Sequence, residues 1–217
     1  MYKRIKKYLL KRFTKQYWQS NRSNAWHSKR KNEAHNDFTA FSNAVCTKIE
    51  NLPYQTVIEI GTGAGTLITL MSQKLPNYAN FIGIDINKKQ IVENQITYKN
   101  LTNVEFVFMD IEKYIENTNL NNAVIVSQNT LDYFPKNDLK KLLSLIHTKI
   151  ENVAILVSSV KNTLQLHDSV ETTEPGFKVY HHNYPSLLEA TGYKSISIDS
   201  FGEKGDLIMV TGHKHSQ

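Results

Sequence analysis

A single stretch of the sequence, in which an apolar run ends in a glycine-rich turn, limits the folds open to this chain. Residues 57–65 read VIEIGTGAG, with glycine at every second position from Gly61 to Gly65. The apolar residues predict a buried parallel strand, and a helix is predicted to begin at about Thr66. Because glycine has no Cβ atom, the N–H groups of such a turn can approach a ligand, and the helix N-terminus adds partial positive charge. The stretch therefore predicts a site for a nucleotide-like ligand.

A second apolar strand ends in an acidic side chain. Residues 81–85 read FIGID, and Asp85 follows Gly61 by 24 positions. In open α/β sheets, ligands bind outside the carboxyl ends of the strands, where a carboxylate can accept hydrogen bonds from ribose hydroxyls. Asp85 is therefore expected to bind the sugar of the ligand.

The spacing of the glycines differs from that of a dinucleotide site. The G-x-G-x-x-G fingerprint would place its third glycine at position 66, where this chain has threonine. Glu59, two residues before the first glycine, would repel a pyrophosphate but suits a ligand that carries an ammonium group. A nicotinamide dehydrogenase is therefore the least favoured function.

Residues 59–65 resemble the first motif of the class I S-adenosylmethionine-dependent methyltransferases, which has the form E/D-x-G-x-G-x-G. The resemblance implies S-adenosyl-L-methionine as the cofactor, methyl transfer as the activity and a Rossmann-like fold. Each end of this cofactor suits one of the two carboxylates, because it has an amino acid at one end and adenosine at the other.

The rest of the chain alternates strands with helices, which predicts a doubly wound α/β fold. The predicted sheet is mostly parallel and seven-stranded, with helices on both faces. The last two strands are joined only by residues 201–205, so they must form an antiparallel hairpin. This ending is a second resemblance to the same family. The predicted strands are 56–60, 80–85, 104–108, 122–127, 152–158, 194–200 and 206–212.

The positive charge of the chain is concentrated at its N-terminus. The formal net charge is +6, yet residues 1–32 hold 11 basic side chains and no acid. Residues 1–36 are therefore predicted to form a basic helical extension or lid, and residues 37–217 the methyltransferase domain. Residues 1–17 predict an amphipathic helix that packs on its own domain or on a second copy, or binds an anionic membrane surface or an acidic protein. Nucleic acid is less favoured, because no basic track continues beyond this segment.

The composition predicts a cytoplasmic protein, with peripheral membrane attachment as an alternative. No apolar run is long enough to span a bilayer, and no signal-peptide core is present. The single cysteine, Cys46, allows no internal disulfide and is expected in the core.

The strand tips are the places where the cofactor is expected. Glu59 should lie near the ammonium group and the glycine turn along the methionine portion. The resemblance implies that Asp110 accepts from the adenine amino group, although the same residue can cap the helix that follows it. Ile86 is expected as an apolar floor under adenine. The expected cofactor-binding residues are Glu59, Gly61, Thr62, Gly63, Gly65, Asp85, Ile86, Asp110, Ile111 and Gln128.

The acceptor is expected to be a small molecule. The tip of the fourth strand lacks the N-P-P-Y-like motif of nucleobase and glutamine N-methylation, and no cysteine lies near a strand tip for cytosine C5 chemistry. Residues 158–162 lack the acid and the Asp-Asn pair of the metal-dependent branch, so no metal is expected. What remains resembles the small-molecule branch, with a hydroxyl acceptor somewhat preferred over an amine.

The long polar insertion at residues 161–184 is the predicted acceptor loop. It contains His181 and His182, and an imidazole there could act as a general base. The alternative is that each histidine caps or solvates the next helix. Asp132 is a weaker candidate for holding the acceptor.

Two other functions remain open at this point. One is methylation of RNA or protein, with the basic N-terminus as a docking arm. The other is a non-catalytic protein that keeps the cofactor site as an interaction module.

Overall fold

Strands and helices alternate along the chain from Thr56 to Val160. The computed structural model describes residues 16–19, 35–174, 177–202 and 205–215. The strands are β1 (Thr56–Ile60), β2 (Asn80–Asp85), β3 (Val104–Phe108), β4 (Asn122–Ser127), β5 (Asn152–Val160), β6 (Val170–Glu174), β7 (Phe177–His181), β8 (Lys194–Phe201) and β9 (Leu207–His213). The helices are α1 (His35–Ile49), α2 (Thr66–Lys74), α3 (Lys88–Thr97), α4 (Ile111–Asn117), α5 (Lys136–Lys149) and α6 (Tyr184–Glu189), with 3₁₀ turns at Leu131–Tyr133 and Lys161–Gln165.

The predicted basic helix of residues 1–17 lies outside the described residues except at its last two positions, and it stays a prediction. The division of the chain into an extension, residues 1–36, and a domain, residues 37–217, likewise stays a prediction. None of the helices in the described ranges is long and apolar enough to cross a membrane.

The central sheet has seven strands in the order β3-β2-β1-β4-β5-β9-β8. Strands β1 to β5 pair in parallel, while β9 lies between β5 and β8 and is antiparallel to both. This confirms the predicted mostly parallel sheet with a C-terminal antiparallel hairpin. The strand order reverses between β1 and β4, and the carboxyl ends of these neighbouring strands form the crevice in which doubly wound folds bind ligands.

Both faces of the sheet are covered, which explains why β1 is buried along its whole length. Successive residues of a strand point to opposite faces. Accordingly, Val57 packs in a layer with Leu67 of α2, whereas Ile58 packs in a layer with Leu142 of α5. The alternation of strands and helices predicted helices on both faces, and the apolar residues 57, 58 and 60 predicted a buried parallel strand.

The insertion at residues 161–184 contains a feature that the sequence analysis missed. It forms a second, two-stranded sheet in which β6 pairs antiparallel with β7, in register from Val170 opposite His181 to Glu174 opposite Phe177. The signal for it was present, because two short runs with valine and threonine flank the turn-favouring pair Pro175-Gly176. The many polar residues of the insertion had instead favoured the prediction of a loop.

The fold prediction concerns Gly65, which precedes α2 with φ +75°. A Cβ atom at this position would lie 2.8 Å from Cε1 of Phe106 and 3.0 Å from Cε2 of Tyr98. Gly65→Ala therefore combines backbone strain with a clash and should lower the free energy of unfolding by roughly 2–5 kcal/mol. Urea denaturation measures this loss.

Gly205→Ala is the matched control for this prediction. Gly205 also has a positive φ, +62°, but a Cβ atom there would meet no atom of the described residues within 4 Å. Gly205→Ala should lower the free energy of unfolding by about 1 kcal/mol, because it adds backbone strain alone. Equal losses in the two variants would contradict the close packing of the glycine turn against β3 and α3.

Candidate active site

The glycine turn after β1 is held by its own N–H groups. Gly61, Gly63 and Gly65 have φ values of 74°, 48° and 75°, in the left-handed region that favours glycine. A Cβ atom on Gly61 would lie 2.1 Å from Oγ1 of Thr130, in the loop after β4. The alternation of glycine is therefore required by the backbone and by the approach of the β4 loop.

Four N–H groups of this turn donate to acceptors within the protein. Those of Gly61 and Thr62 donate to the carbonyl of Ile84 in β2, at 2.8 and 3.0 Å. The N–H of Gly63 donates to the Asp85 carboxylate at 2.9 Å, and that of Gly65 to the carbonyl of Thr62 at 2.8 Å. The structure thus differs from the expectation that these groups face a ligand. These four N–H groups are therefore not available to donate hydrogen bonds to an anion such as a pyrophosphate.

Glu59 lies beneath the turn with 3% of its surface exposed. One oxygen of its side chain, Oε2, accepts hydrogen bonds from Oγ1 of Thr62 at 2.7 Å and from the N–H of Ile68 at 3.1 Å. Burial raises the pKa of Glu59 to about 8, while these two bonds lower it and the charge of Asp85 raises it further. A nearby cation would favour the ionised form of this carboxyl group.

Asp85 ties the end of β2 to the glycine turn. Its Oδ2 accepts from the N–H of Gly63 at 2.9 Å, and its Oδ1 accepts from the N–H of Asn87 at 2.8 Å. The N–H of Met109, just after β3, donates to the carbonyl of Asp85 at 3.1 Å. The structure therefore brings the predicted ribose-binding carboxylate into direct contact with the glycine turn.

A pair of buried polar side chains on α3 was missed by the sequence analysis. Nδ2 of Asn94 donates to the carbonyl of Gly63 at 2.7 Å, and Nε2 of Gln90 donates to Oδ1 of Asn94 at 3.1 Å. Both side chains are buried. Their spacing of four residues on one helix face was the only signal in the sequence.

The residues predicted around adenine follow β2 and β3. Asp110 is the N-cap of α4, and its Oδ1 accepts from the N–H of Glu112 at 3.1 Å. The capping role considered for it is therefore present. Ile111 is buried in the core layer that contains α5, and Ile86 is partly exposed beyond the end of β2.

Gln128 follows β4, on the opposite side of β1 from Asp85. Its side chain is 8% exposed, and its Oε1 atom is buried without a hydrogen-bond partner among the described residues. A buried carbonyl oxygen left unpaired costs about 1–3 kcal/mol. The next residue, Asn129, has φ +59°, a left-handed conformation that turns the chain sharply after β4.

Two residues at the end of the insertion make hydrogen bonds to the turn at Leu131–Tyr133 and to the residue that follows it. Oδ1 of Asp132 accepts a hydrogen bond from the hydroxyl of Tyr184, in α6, at 2.6 Å. The carbonyl of Phe134 lies 3.0 Å from Nε2 of His182, at the end of the β6–β7 hairpin. The insertion therefore covers the loop after β4, and its role as an acceptor loop stays a prediction.

His182 is fully buried and uses both ring nitrogens within the protein. Because the Phe134 carbonyl can only accept, Nε2 carries the proton, and Nδ1 accepts from Oγ of Ser169 at 2.6 Å. Burial lowers the pKa of His182 to about 4. In this arrangement neither nitrogen is available to a substrate.

His181 occupies a different environment from its neighbour. It is partly exposed at the end of β7, and its Nε2 lies 3.2 Å from Oγ1 of Thr172 across the hairpin. The structure therefore separates the two candidate bases. Of the predicted acceptor-side residues, Asp132 and His181 lie by the loop after β4 with partly exposed side chains.

An aromatic contact brings the N-terminal segment to the same loop. Trp18 is 9% exposed, and its ring centroid lies 4.6 Å from that of Tyr133. The sequence analysis predicted residues 1–36 as an extension or lid but could not predict this contact. No group of three potential metal ligands occurs among the described residues. The expectation that the enzyme uses no metal stays a prediction.

Residues 53–196 match a protein family described as a methyltransferase domain, and the match covers more than half of the chain. The chain belongs to this methyltransferase family. The family and the fold together make the protein an S-adenosylmethionine-dependent methyltransferase of class I, as the motif at residues 59–65 predicted. No curated protein matches it in sequence.

Solved structures of other methyltransferases share the fold. Magnesium protoporphyrin IX methyltransferase from Synechocystis PCC 6803, with bound S-adenosylhomocysteine, is 18% identical, covers 94% of this chain and 99% of that chain, and has a TM-score of 0.69. The glycopeptide N-methyltransferase MtfA, complexed with S-adenosylmethionine, is 10% identical over 80% of this chain and 92% of that chain, with a TM-score of 0.64. Human N-acetylserotonin methyltransferase is 12% identical over 81% of this chain and 52% of that chain, with a TM-score of 0.60. At these identities the likeness shows the fold.

The site prediction concerns Glu59→Gln in the cofactor-free methyltransferase. Folding raises the pKa of Glu59 from 4.5 to about 8, so its contribution to stability is complete below pH 4.5 and is lost as the pH rises through 8. Glutamine does not titrate. The melting temperature of the variant minus that of the parent should therefore increase as the pH rises from 5 to 9.

Glu116→Gln is the control, because Glu116 is exposed on α4. Its melting temperature should follow that of the parent across the same pH range. Parallel curves for the parent and Glu59→Gln would mean that Glu59 is not buried in the way described.

Proposed function

We propose that this methyltransferase transfers the methyl group of S-adenosylmethionine to a small-molecule acceptor, with a hydroxyl preferred over an amine. The observation that carries the donor site is the hydrogen bond between Gly63 and Asp85. This bond holds Asp85, the carboxylate proposed to bind ribose, against the glycine turn, whose N–H groups at residues 61, 62, 63 and 65 donate within the protein. Such a site suits a positively charged nucleoside better than a diphosphate.

The residues present fit this cofactor. Asp85 would hold the ribose hydroxyls, and a carboxylate can accept bonds in addition to those from Gly63 and Asn87. Glu59, whose pKa burial has raised to about 8, lies close enough to Asp85 to sense its charge, and a cationic methionine portion would stabilise its ionised form. Gln128 offers a buried oxygen that has no partner among the described residues. Ile86, Ile111 and Asp110 would surround the adenine.

The cofactor supplies an activated methyl group, so the protein must align the acceptor and exclude water. The acceptor would lie by the loop after β4, where Trp18, the β6–β7 hairpin and α6 come together around Asp132 and Tyr133. In this proposal His181 takes the proton of an acceptor hydroxyl.

The preference for a small molecule rests on the enclosed loop and on the structural relatives. The names of those relatives include a porphyrin, a glycopeptide and N-acetylserotonin. The site could also serve a macromolecule docked on the basic N-terminus, since residues 1–32 carry 11 basic side chains and no acid. The cytoplasmic location, with or without membrane attachment through residues 1–17, is part of the proposal and stays a prediction.

Calorimetric titration of the purified protein tests the donor site. S-adenosylhomocysteine and S-adenosylmethionine should bind, and NAD should not. Asp85→Ala should abolish detectable binding because it removes the acceptor of both the ribose hydroxyls and the Gly63 N–H. Glu112→Ala, which changes a partly exposed side chain on α4, should bind like the parent. Unchanged binding by a folded Asp85→Ala protein would overturn the placement of the site.

Methyl transfer from radiolabelled donor to panels of hydroxyl and amine compounds, RNA and protein tests the acceptor. A small neutral hydroxyl compound should be methylated at a rate that changes little with added salt. Methylation confined to RNA or protein, with a steep loss of rate at high salt, would favour docking through the N-terminus instead. Donor binding without transfer to any panel member would favour the non-catalytic interaction module.

A further inference from the structure

Tyr184 is a buried side chain that no motif singles out, yet it contacts a candidate acceptor-side residue. It is 1% exposed at the first position of α6, and its hydroxyl donates to Oδ1 of Asp132 at 2.6 Å. The two residues are 52 positions apart in the chain. This bond connects the helix after the insertion to the turn after β4.

The position of the Tyr184 hydroxyl is fixed by the start of α6. The Asn183 side chain caps this helix by accepting from the N–H of Ser186 at 3.2 Å. Its Nδ2 donates to the carbonyls of Leu164 and Leu166, at 3.0 and 3.1 Å. The ring of Tyr184 also contacts that of His182, with centroids 5.6 Å apart. The hydroxyl therefore needs little reorganisation to hold Asp132.

The charge of Asp132 depends on two neighbours from two different elements. Burial raises the pKa of Asp132, whereas the hydrogen bond from Tyr184 and the positive charge of His181 both lower it. Other charged groups nearby change the pKa of different side chains. Lys136 and Asp168 contribute to the pKa of His182, and Glu171 and Asp138 contribute to that of Tyr180. Without the Tyr184 hydroxyl, the neutral form of Asp132 would be favoured.

The hydrogen bonds of His181 leave a defined nitrogen for proton transfer. The hydroxyl of Thr172 donates to the carbonyl of Val179 at 3.4 Å, so its oxygen accepts from Nε2–H of His181 at 3.2 Å. Nδ1 is then the unprotonated nitrogen of the ring. An ionised Asp132 nearby favours the imidazolium that forms when Nδ1 takes a proton.

We propose that Tyr184 is a positioning residue that keeps Asp132 ionised beside the acceptor, so that Asp132 stabilises the protonated His181 formed during methyl transfer. The inference rests on the proposed function. In the reaction a bond forms between the acceptor oxygen and the methyl carbon, while the bond from that carbon to the sulfonium sulfur breaks and leaves a neutral thioether. The hydroxyl proton passes to Nδ1 of His181 and from there to water.

The electrostatic part of this proposal can be tested without an acceptor. The side-chain carboxyl signal of Asp132 is followed by NMR as a function of pH in the parent and in Tyr184→Phe. The titration midpoint of Asp132 should rise in Tyr184→Phe, because the hydrogen bond that lowers the pKa of this carboxyl group is lost.

An Asp132 midpoint that is the same in the two proteins would overturn the proposal. Asp132→Asn replaces one oxygen with nitrogen and keeps an acceptor for the Tyr184 hydroxyl, so its kcat profile decides the outcome if Tyr184→Phe does not fold. A native amide spectrum shows that each variant is folded.

The catalytic part is read from the pH dependence of kcat with the acceptor found in the panel. Tyr184→Phe should lower kcat about tenfold or more at neutral pH. The Kd for S-adenosylhomocysteine should remain that of the parent, because Tyr184 lies on the acceptor side. A kcat profile identical to that of the parent would overturn the positioning role. Loss of donor binding by the parent itself would instead be a failure of the proposed function.

Discussion

Two hydrogen bonds accepted by the buried carboxyl group of Glu59 hold strand, turn and helix together. Glu59 belongs to β1, Thr62 to the glycine turn and Ile68 to the first turn of α2. A carboxyl group with so little exposure is costly to ionise, and its raised pKa reflects that cost. Together with the hydrogen bonds from Gly61 and Thr62 to the carbonyl of Ile84, this connection holds the turn beside β2, where Gly63 contacts Asp85.

The same two carboxyl groups explain why the site suits a cation. The charge of Asp85 acts on Glu59 across the glycine turn, and this repulsion adds to the burial that raises the pKa of Glu59. A ligand with a positive amino acid portion would relieve the repulsion, whereas a diphosphate would increase it. The N–H groups of the turn point to the same conclusion, because those at residues 61, 62, 63 and 65 bond to Ile84, Asp85 and Thr62.

Local sequence patterns predicted much of the fold. The bounds of β1 to β4 agree with those expected, because short apolar runs between helical segments mark the strands of a parallel sheet. The β6–β7 hairpin was missed because its residues are largely polar and it packs outside the central sheet. The glycine turn was located correctly, but the partners of its N–H groups depend on the neighbouring strand β2.

The acceptor side was harder to predict because its contacts also depend on elements that are distant in the sequence. The contacts of Tyr184 with Asp132, of His182 with Phe134 and of Trp18 with Tyr133 join residues that are far apart in the chain. A sequence shows that two adjacent histidines precede a helix but not that one of them is fully buried. Burial and partner identity are properties of the packed structure, and they separate His181 from His182.

A crystal structure of the protein with S-adenosylhomocysteine would test the central claim most directly. The account predicts the ribose hydroxyls on the carboxylate of Asp85, the amino acid portion along residues 59–65 and the thioether sulfur facing the loop after β4. Adenosine bound away from Asp85, or a ligand diphosphate lying across residues 61–65 in a soaked crystal, would contradict it.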